Sequence, residues 1–444
     1  MVEIKLKEEL AKIESINADT DRFLLAVSGG KDSVTMAHLF AEYPLHFGIA
    51  HCNFQLRGLD ADQDLLFVQD LARQLKVPFF SQAFDTEQFA AKEKLSIQEA
   101  ARQLRYDWLA QIRVDHQYDW IVTAHHAEDQ LETFLYNFTK GSGIRGLTGI
   151  PAKNGRIIRP LLSTLPAQLQ HFYQKKGLQH REDASNATDK YARNLIRHQV
   201  SPVLQQINPQ LNSTSIRTFN ILKETTQLLD AFIEEWKKTH IHQNQEEWKI
   251  PIQAVLSSAA PASLLYEVLR FAHFNTAQIQ RIIDNAKHQH LSGALFQTAS
   301  HELLIDRTHF LLRPRTTLDK SEEIILTDYK QSNSILHLEY HQQHPSNIFK
   351  DNKQIQVDAA NIQFPLKVRR WQAGDSFCPI GMSGKHKKVQ DLLSDSKLSL
   401  FDKEKIWILE NGNEDIIWVI GLRMDERFKI RAKTEAHYVL HYLL

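Results

Sequence analysis

A chain of 444 residues is longer than one hydrophobic core usually serves and is expected to divide into two or three domains. Its 53 Lys and Arg balance 53 Asp and Glu, so overall charge announces no nucleic-acid partner, and a surface of that kind must come from uneven placement. Two cysteines, Cys52 and Cys378, exclude a disulfide framework and a Cys-x-x-Cys metal or redox pair.

The first ten residues alternate charge and apolar side chains as an amphipathic helix does, without the apolar stretch of a secretory signal. No run reaches the ~18 apolar residues of a membrane span. Both features point to the cytoplasm. Phe23–Val27 reads as a buried strand running into Ser28-Gly29-Gly30-Lys31-Asp32-Ser33, where two glycines admit an anion close to the backbone and the next helix offers its free N–H groups. A Walker A loop is excluded, because Lys31 is followed by Asp32 rather than by a hydroxyl residue.

Leu45–Ala50 is a second expected strand, Asp60–Leu75 a helix, Val77–Phe80 the start of a third strand, Ser96–Ile112 a long helix, Trp120–Ala124 a fourth strand and Ala127–Phe138 a helix. This alternation predicts an α/β domain whose parallel sheet is covered on both faces, with ligands beyond the carboxyl ends of its strands. Three polar constellations fall at those ends: 28–33, 51–57 and 125–132. The stretch from Tyr191 to about Ile250, with short helices at 262–274 and 276–288, reads as a small helical domain. From Leu295 the period changes to strands, among them 303–306, 310–313, 335–340, 416–422 and 438–443, as in a final α+β domain beginning near Leu318. The expected boundaries are 1–215, 216–317 and 318–444.

On the helix after His125-His126, the residues Asp129, Glu132 and Thr133 share one face, with His125 a turn earlier. Two readings stand: an acidic group that holds Mg²⁺ or orients an amine, or carboxylates that only complement the helix N-terminus. Two adjacent histidines at a strand end make a poor zinc pair. Arg102 and Arg105 lie one turn apart on a helix, either facing a phosphate or, for Arg102, pairing with Glu99 at the surface. The Gly-dense run 141–149, with Arg145 and nearby Arg159, is either a nucleotide-contacting loop or a tight surface turn. Late in the chain Lys367, Arg369, Arg370, Lys385, His386, Lys387, Lys388, Arg423, Arg427, Lys429, Arg431 and Lys433, with Trp371 and Phe377 interleaved, suggest an RNA-backbone surface or a solvated face.

Ser-Gly-Gly-Lys-Asp-Ser at 28–33 resembles the pyrophosphate loop of ATP pyrophosphatases. Taken with the motifs at 51–58, 99–106, 125–133, 140–149, 159–162, 183–186 and 193–197, and with Arg369–Asp375 and Lys387–Val389, essentially the whole chain resembles the bacterial tRNA(Ile)-lysidine synthetases. Glu128 stands where that family more usually has aspartate and Lys140 where it has arginine; both keep their charge.

The resemblance implies a PP-loop domain, a small helical domain and a C-terminal tRNA-binding α+β domain. It also implies ATP-dependent attachment of L-lysine to the wobble cytidine of a tRNA(Ile) with anticodon CAU, through an adenylylated cytidine, with release of AMP and pyrophosphate. On this reading Ser28, Gly29, Gly30, Lys31, Asp32 and Ser33 hold ATP, and Asp32 and Asp129 hold Mg²⁺. Arg102 and Arg105 face the phosphoryl group, while His125, Asp129 and Glu132 orient lysine and the activated base. No membrane or metal cluster is implied; oligomeric state is left open, a homodimer included. A tRNA thiolase of the same loop family needs sulfur-carrying or cluster-binding cysteines, which two isolated ones do not supply. An amidotransferase needs an ammonia-producing domain, and a non-enzymatic RNA-binding protein leaves the pyrophosphate loop idle.

Overall fold

Strand and helix alternate from Arg22 onward. The computed structural model describes residues 4–56, 58–181, 192–244, 247–288, 293–315, 322–331, 333–345, 347 and 352–443. The motif at 183–186, Arg57, Tyr191 and the expected boundary at Leu318 lie outside the described residues. The chain divides into two compact units, Met1–Ala231 and Phe232–Leu444.

The first unit runs α1 (Leu6–Ala11), β1 (Arg22–Ala26), α2 (Lys31–Ala41), β2 (His46–Asn53), α3 (Leu59–Leu75), β3 (Phe79–Ala83), α4 (Thr86–Glu93), α5 (Ile97–Asp115), β4 (Trp120–Val122), α6 (Ala127–Thr139), β5 (Lys153–Asn154), β6 (Ile157–Ile158), α7 (Pro166–Lys175), α8 (Ala192–Leu195), a π-helical turn Ile196–Val200, α9 (Ser201–Ile207) and most of α10 (Leu211–His240). The sheet order is β3-β2-β1-β4-β6-β5, parallel throughout except for the β5–β6 hairpin.

Residues of β1 point alternately to two cores. Phe23 and Leu25 join Val34, Phe40, Val68, Leu71, Leu169 and Phe172 on one face, and Leu24 joins Leu109, Tyr118 and Ile121 on the other. The near-continuous apolar strand expected of a doubly covered parallel sheet follows from this. β1 sits centrally, and the chain leaves it toward β2 on one side while β4 pairs on the other. The loops after β1 and β4 therefore open into one crevice at the switch in strand order.

Gly48 in β2 lies beneath Tyr118, and a Cβ there would run into the phenol oxygen and ring. Gly48→Ala is therefore expected to overpack the site and destabilise the first unit by about 1–3 kcal/mol, read as a shift of the urea midpoint at unchanged m.

The second unit carries β7 (His242–Gln243), β8 (Trp248–Pro251), α11 (Ile252–Leu256), α12 (Pro261–Val268), α13 (Thr276–Lys287), β9 (Leu295–Gln297), β10 (His301–Ile305) and β11 (His309–Pro314), with sheet order β7-β8-β11-β10-β9. The strands expected at 303–306 and 310–313 are β10 and β11. β8 falls where a helix was expected to run to about Ile250: Trp248 to Pro251 is too short for period to reveal, and it is held as a strand by pairing with β11.

Next come β12 (Glu323–Leu326), β13 (Leu336–His341), β14 (Gln354–Asp358), β15 (Leu366–Arg370), β16 (Ser376–Phe377), β17 (Lys387–Lys388), α14 (Val389–Asp395), α15 (Leu400–Glu404), β18 (Trp407–Glu410), β19 (Ile416–Val419), β20 (Arg423–Met424) and β21 (His437–Tyr442). They form antiparallel sheets of order β12-β15-β18-β19-β20 and β13-β21-β14, plus the β16–β17 hairpin, around a core that includes Trp407 and Trp418. Among the described residues no helix is long and apolar enough to cross a membrane.

Candidate active site

The loop after β1 is tied before any ligand enters it. Ser33 Oγ donates to the Gly30 carbonyl at 2.8 Å and accepts from the Ser28 N–H at 3.2 Å, and the Gly30 N–H donates to Ser28 Oγ at 3.3 Å. Gly29 has φ +92°, which L side chains rarely adopt, and the side chain of Val68 lies close against it. Gly30 is the N-cap of α2, leaving the first-turn N–H groups of that helix available to an anion. Lys31 sets its ammonium on the Gln170 side-chain oxygen, 5.5 Å from the Tyr173 ring centroid. Asp32, in the first turn of α2, keeps a half-exposed carboxylate.

Across the crevice α6 is opened by a capping box made from His126 and Asp129. His126 Nδ1 accepts from the Glu128 N–H at 3.2 Å, and Asp129 Oδ2 accepts from the His126 N–H at 2.8 Å. His126 Nε2 then lies 3.5 Å from Asp32 Oδ2 and 3.7 Å from Asp129 Oδ2, so one imidazole links the two loops. Burial draws its pKa down, but Asp32 and Asp129 more than offset this and hold it above the ordinary value. For Asp129, burial favours the neutral acid, yet His126 and Arg193 prevail and keep its pKa low.

The other oxygen of Asp129 accepts from Arg193 at 2.8 Å. Glu132, fully buried, accepts from Arg193 Nε at 2.6 Å and from Arg197 Nε at 2.5 Å. The acidic face expected on α6 is thus present: Asp129 caps the helix and lines the cavity. Glu132 is turned inward onto two arginines.

His125 donates or accepts at Thr123 Oγ1 over 2.9 Å, and burial, aided by Arg159, Arg193 and Arg102 against Asp129, pushes its pKa down to about 4. An unfolded imidazole keeps a value near 6.5, so between pH 6.5 and about 4 the unfolded chain binds more protons. The stability tied to neutral His125 is complete above pH 6.5 and is lost as pH falls toward 4, at most roughly 3 kcal/mol. His125→Gln, which takes up no proton, is expected to flatten this acid-side decline in thermal melts. Equal slopes in parent and variant would show that the imidazole is not held neutral.

These loops enclose a cavity of about 730 Å³, within the range of small-molecule sites. Of the residues expected at the site, Ser28, Gly30, Lys31, Asp32, Ser33, Arg105, His125 and Asp129 line it, and Gly29, Arg102 and Glu132 do not. Arg105 lies 5.2 Å from the Phe54 ring centroid and Arg102 5.0 Å from that of Tyr106. Glu99 closes a capping box with Ser96. Arg145 binds Asp230 on α10, which makes the Gly-dense segment a packed turn within the unit. Sequence reasoning missed Asp64, His180 and Arg181 in the lining, whereas Phe54 and Tyr106 carried a signal only through the motifs at 51–58 and 99–106. Arg181 donates its N–H to the Gly29 carbonyl at 3.0 Å and pairs with Asp64, and no local pattern marks it. Arg197 carried a signal only through the motif at 193–197. Cys52 lines the cavity as a thiol, its pKa pushed up to about 12 mainly by burial.

In the last unit several expected RNA contacts are spent internally. Arg369 binds Asp375 and Glu410, Arg370 lies 3.7 Å from the Trp407 ring centroid, Arg427 binds Asp415 and Asp425, Lys429 binds Glu426 and Lys387 binds Asp395. Phe377 is core and Trp371 Nε1 donates to the Lys403 carbonyl at 2.6 Å, so neither aromatic is a free stacking platform. Lys385, His386, Lys388, Arg423, Arg431 and Lys433 remain exposed.

Residues 2–204 match the PP-loop domain family, 243–315 the TilS substrate binding domain and 366–441 the TilS substrate C-terminal domain. The tRNA(Ile)-lysidine synthase of Bacteroides thetaiotaomicron is 35% identical over 94% of both chains, that of Parabacteroides distasonis 34% over 95% of both, and that of Bacillus subtilis 28% over 90% of this chain and 89% of its own. With the phosphate-type loop and the capped acidic helix meeting at one crevice, the chain belongs to the tRNA(Ile)-lysidine synthase family of ATP-using, tRNA-modifying enzymes.

Proposed function

We propose that this chain ligates L-lysine to the wobble cytidine of the CAU anticodon of tRNA(Ile), changing its codon from AUG to AUA. The observation that carries the reading is the convergence of the 28–33 loop and the α6 N-terminus on one cavity, joined through His126. In the first stage the carbonyl oxygen of the cytosine ring attacks the α-phosphorus of ATP, the bond to pyrophosphate breaks, and AMP remains on the base. In the second, the lysine side-chain amine attacks the activated carbon, the bond from that carbon to the AMP oxygen breaks, and the new C–N nitrogen loses its proton to solvent.

The loop N–H groups and the α2 N-terminus bind the phosphates, and Arg105 faces the charge that builds on them. Arg102, outside the lining, acts through Tyr106 beside it. His125, uncharged at neutral pH, orients the amine through a hydrogen bond, and Asp129 draws the ammonium in. Glu132 is a positioning residue that fixes Arg197 at the cavity wall. The donor set fits Mg²⁺, which takes one or two carboxylates plus phosphate oxygens. Asp32 is half exposed beside the cradle with His126 near one of its oxygens, whereas Asp129 has both oxygens engaged and joins less readily. When bound there, Mg²⁺ neutralises phosphate charge.

Catalysis is assigned to residues 1–215, a supporting role to 216–317 and tRNA capture to 318–444, in the cytoplasm. Lys385→Glu with Lys388→Glu is expected to weaken tRNA binding and lower the slope of log affinity against log salt by roughly one per lysine, read by filter binding. An unchanged slope would remove these lysines from the RNA surface.

The deciding experiment supplies ATP, magnesium and labelled lysine with tRNA(Ile) or with a methionine tRNA of the same anticodon. Label in the first alone, with AMP and pyrophosphate released, is expected. Absence of AMP and pyrophosphate with the proper tRNA overturns the proposal.

A further inference from the structure

Arg159 is a cation that the assignments above leave unused. It leaves the sheet where β6 ends, beside the segment that carries His125, since Ile158 pairs with Val122 and accepts the Thr123 N–H at 3.1 Å. Only 4% of its surface is exposed. Nη1 donates to the Pro151 carbonyl at 2.8 Å, and Nε, shielded from solvent, has no hydrogen-bond partner. Among the described residues no carboxylate pairs with it, whereas Arg193 and Arg197 end on Asp129 and Glu132. Burying a guanidinium without a counter-ion is costly, so the position calls for a reason other than stability.

The side chain it does reach is Tyr106, to whose phenol oxygen the guanidinium donates. Arg102, one turn earlier on α5, lies 5.0 Å from the centroid of the same ring. A phenol held at its oxygen and flanked by a cation of its own helix has few ways to turn, and it stands in the cavity wall. Arg159 and Arg102 are also two of the charges that hold the His125 pKa down, which sets Tyr106 on the side of the cavity where the amine is received. The other aromatic carbocycle of the lining, Phe54, follows β2 and is stacked on Phe84, with centroids 5.9 Å apart.

We propose that Tyr106 is the platform on which the target cytosine rests, and that Arg159 is the positioning residue that fixes it there.

This rests on the lysidine reading and names the group that receives its base. A base withdrawn from an anticodon loop loses its stacked neighbours, and an aromatic face replaces them. The amine must meet its carbon beside His125, and Tyr106 is the ring on that side. Phe54, after the strand that neighbours β1 and its loop, is left for the adenine.

The test is steady-state kinetics of the full chain with ATP, lysine and tRNA(Ile) varied in turn. Tyr106→Leu should lower kcat/KM for the tRNA roughly 5- to 150-fold, the worth of one stacked base, and leave KM for ATP at the parent value. Tyr106→Phe keeps the ring and loses the oxygen that Arg159 holds, so it should fall between. Arg159→Lys should lose as much as Tyr106→Phe, and the two together no more than either alone, as for residues that act through one another. The Tyr106 variants decide even where Arg159→Lys does not fold. A raised KM for ATP in Tyr106→Leu assigns the ring to adenine and overturns the proposal, as does an unchanged kcat/KM for the tRNA. Additive losses remove Arg159 from the positioning role. A parent that releases no AMP sinks the lysidine reading, whereas an active parent with a parent-like Tyr106→Leu sinks this inference alone.

Discussion

Asp32→Ala should abolish AMP formation, lowering it by roughly 10³-fold, while leaving tRNA capture and the melting temperature near those of the parent. Three features of the residue give this separation. Its carboxylate is half exposed, and buried His126, which loses it, keeps Asp129 3.7 Å away, so the stability cost stays at about 1 kcal/mol. It stands in the first turn of α2, beside the phosphate-type cradle. It is also one of the anions that raise the pKa of His126, so the variant should lower that pKa, a shift visible by NMR titration. AMP release in a single turnover, paired with filter binding of tRNA, is the check. Parent-like AMP release removes Asp32 from the chemistry.

Glu132→Ala is the largest expected loss of stability. The carboxylate is fully buried and receives Nε–H donors from Arg193 and Arg197. Removing one partner of a buried ion pair costs about 3–5 kcal/mol. Both arginines are more than a third exposed and can partly turn to water, which reduces the loss to about 2–3 kcal/mol. For a unit of this size that is roughly 5–10 °C in melting temperature, readable by calorimetry. Activity should fall as well, since Arg197 loses its anchor at the cavity wall. Glu132→Gln keeps shape and one acceptor and should fall between parent and Ala. A Glu132→Ala variant that melts with the parent shows that the arginines do not depend on this carboxylate.

Much of the first unit was legible because its signals are local. The apolar runs of β1 and β4, the small-residue turn after Val27 and the acidic turn after His126 each lie within a few residues of the elements they specify. Topology then brings those strand ends together, and that too follows from alternating period. Arg193 and Arg197 contact Asp129 and Glu132 across 61 to 68 residues, and Arg181 meets Asp64 across 117, separations at which no local pattern operates.

Glu99 shows a different limit. Ser96-x-x-Glu99 is a capping-box signature, but the same glutamate also precedes Arg102 by three residues, and sequence alone does not say which partner wins. In the last unit, composition suggested aromatics among basic residues on one surface. Strand alternation and the orientation of each guanidinium, which composition does not report, put Phe377 inside and spent Arg369 on Asp375 and Glu410.

The pairing of α6 with the π-helical turn has a consequence for synthesis. Asp129 and Glu132 leave the ribosome some sixty residues ahead of their guanidinium partners, so α6 emerges with its anionic stripe unneutralised. The sheet must wait for the returning segment before that stripe can be sealed. Nascent chains halted in the interval display Asp129 and Glu132 without Arg193 and Arg197.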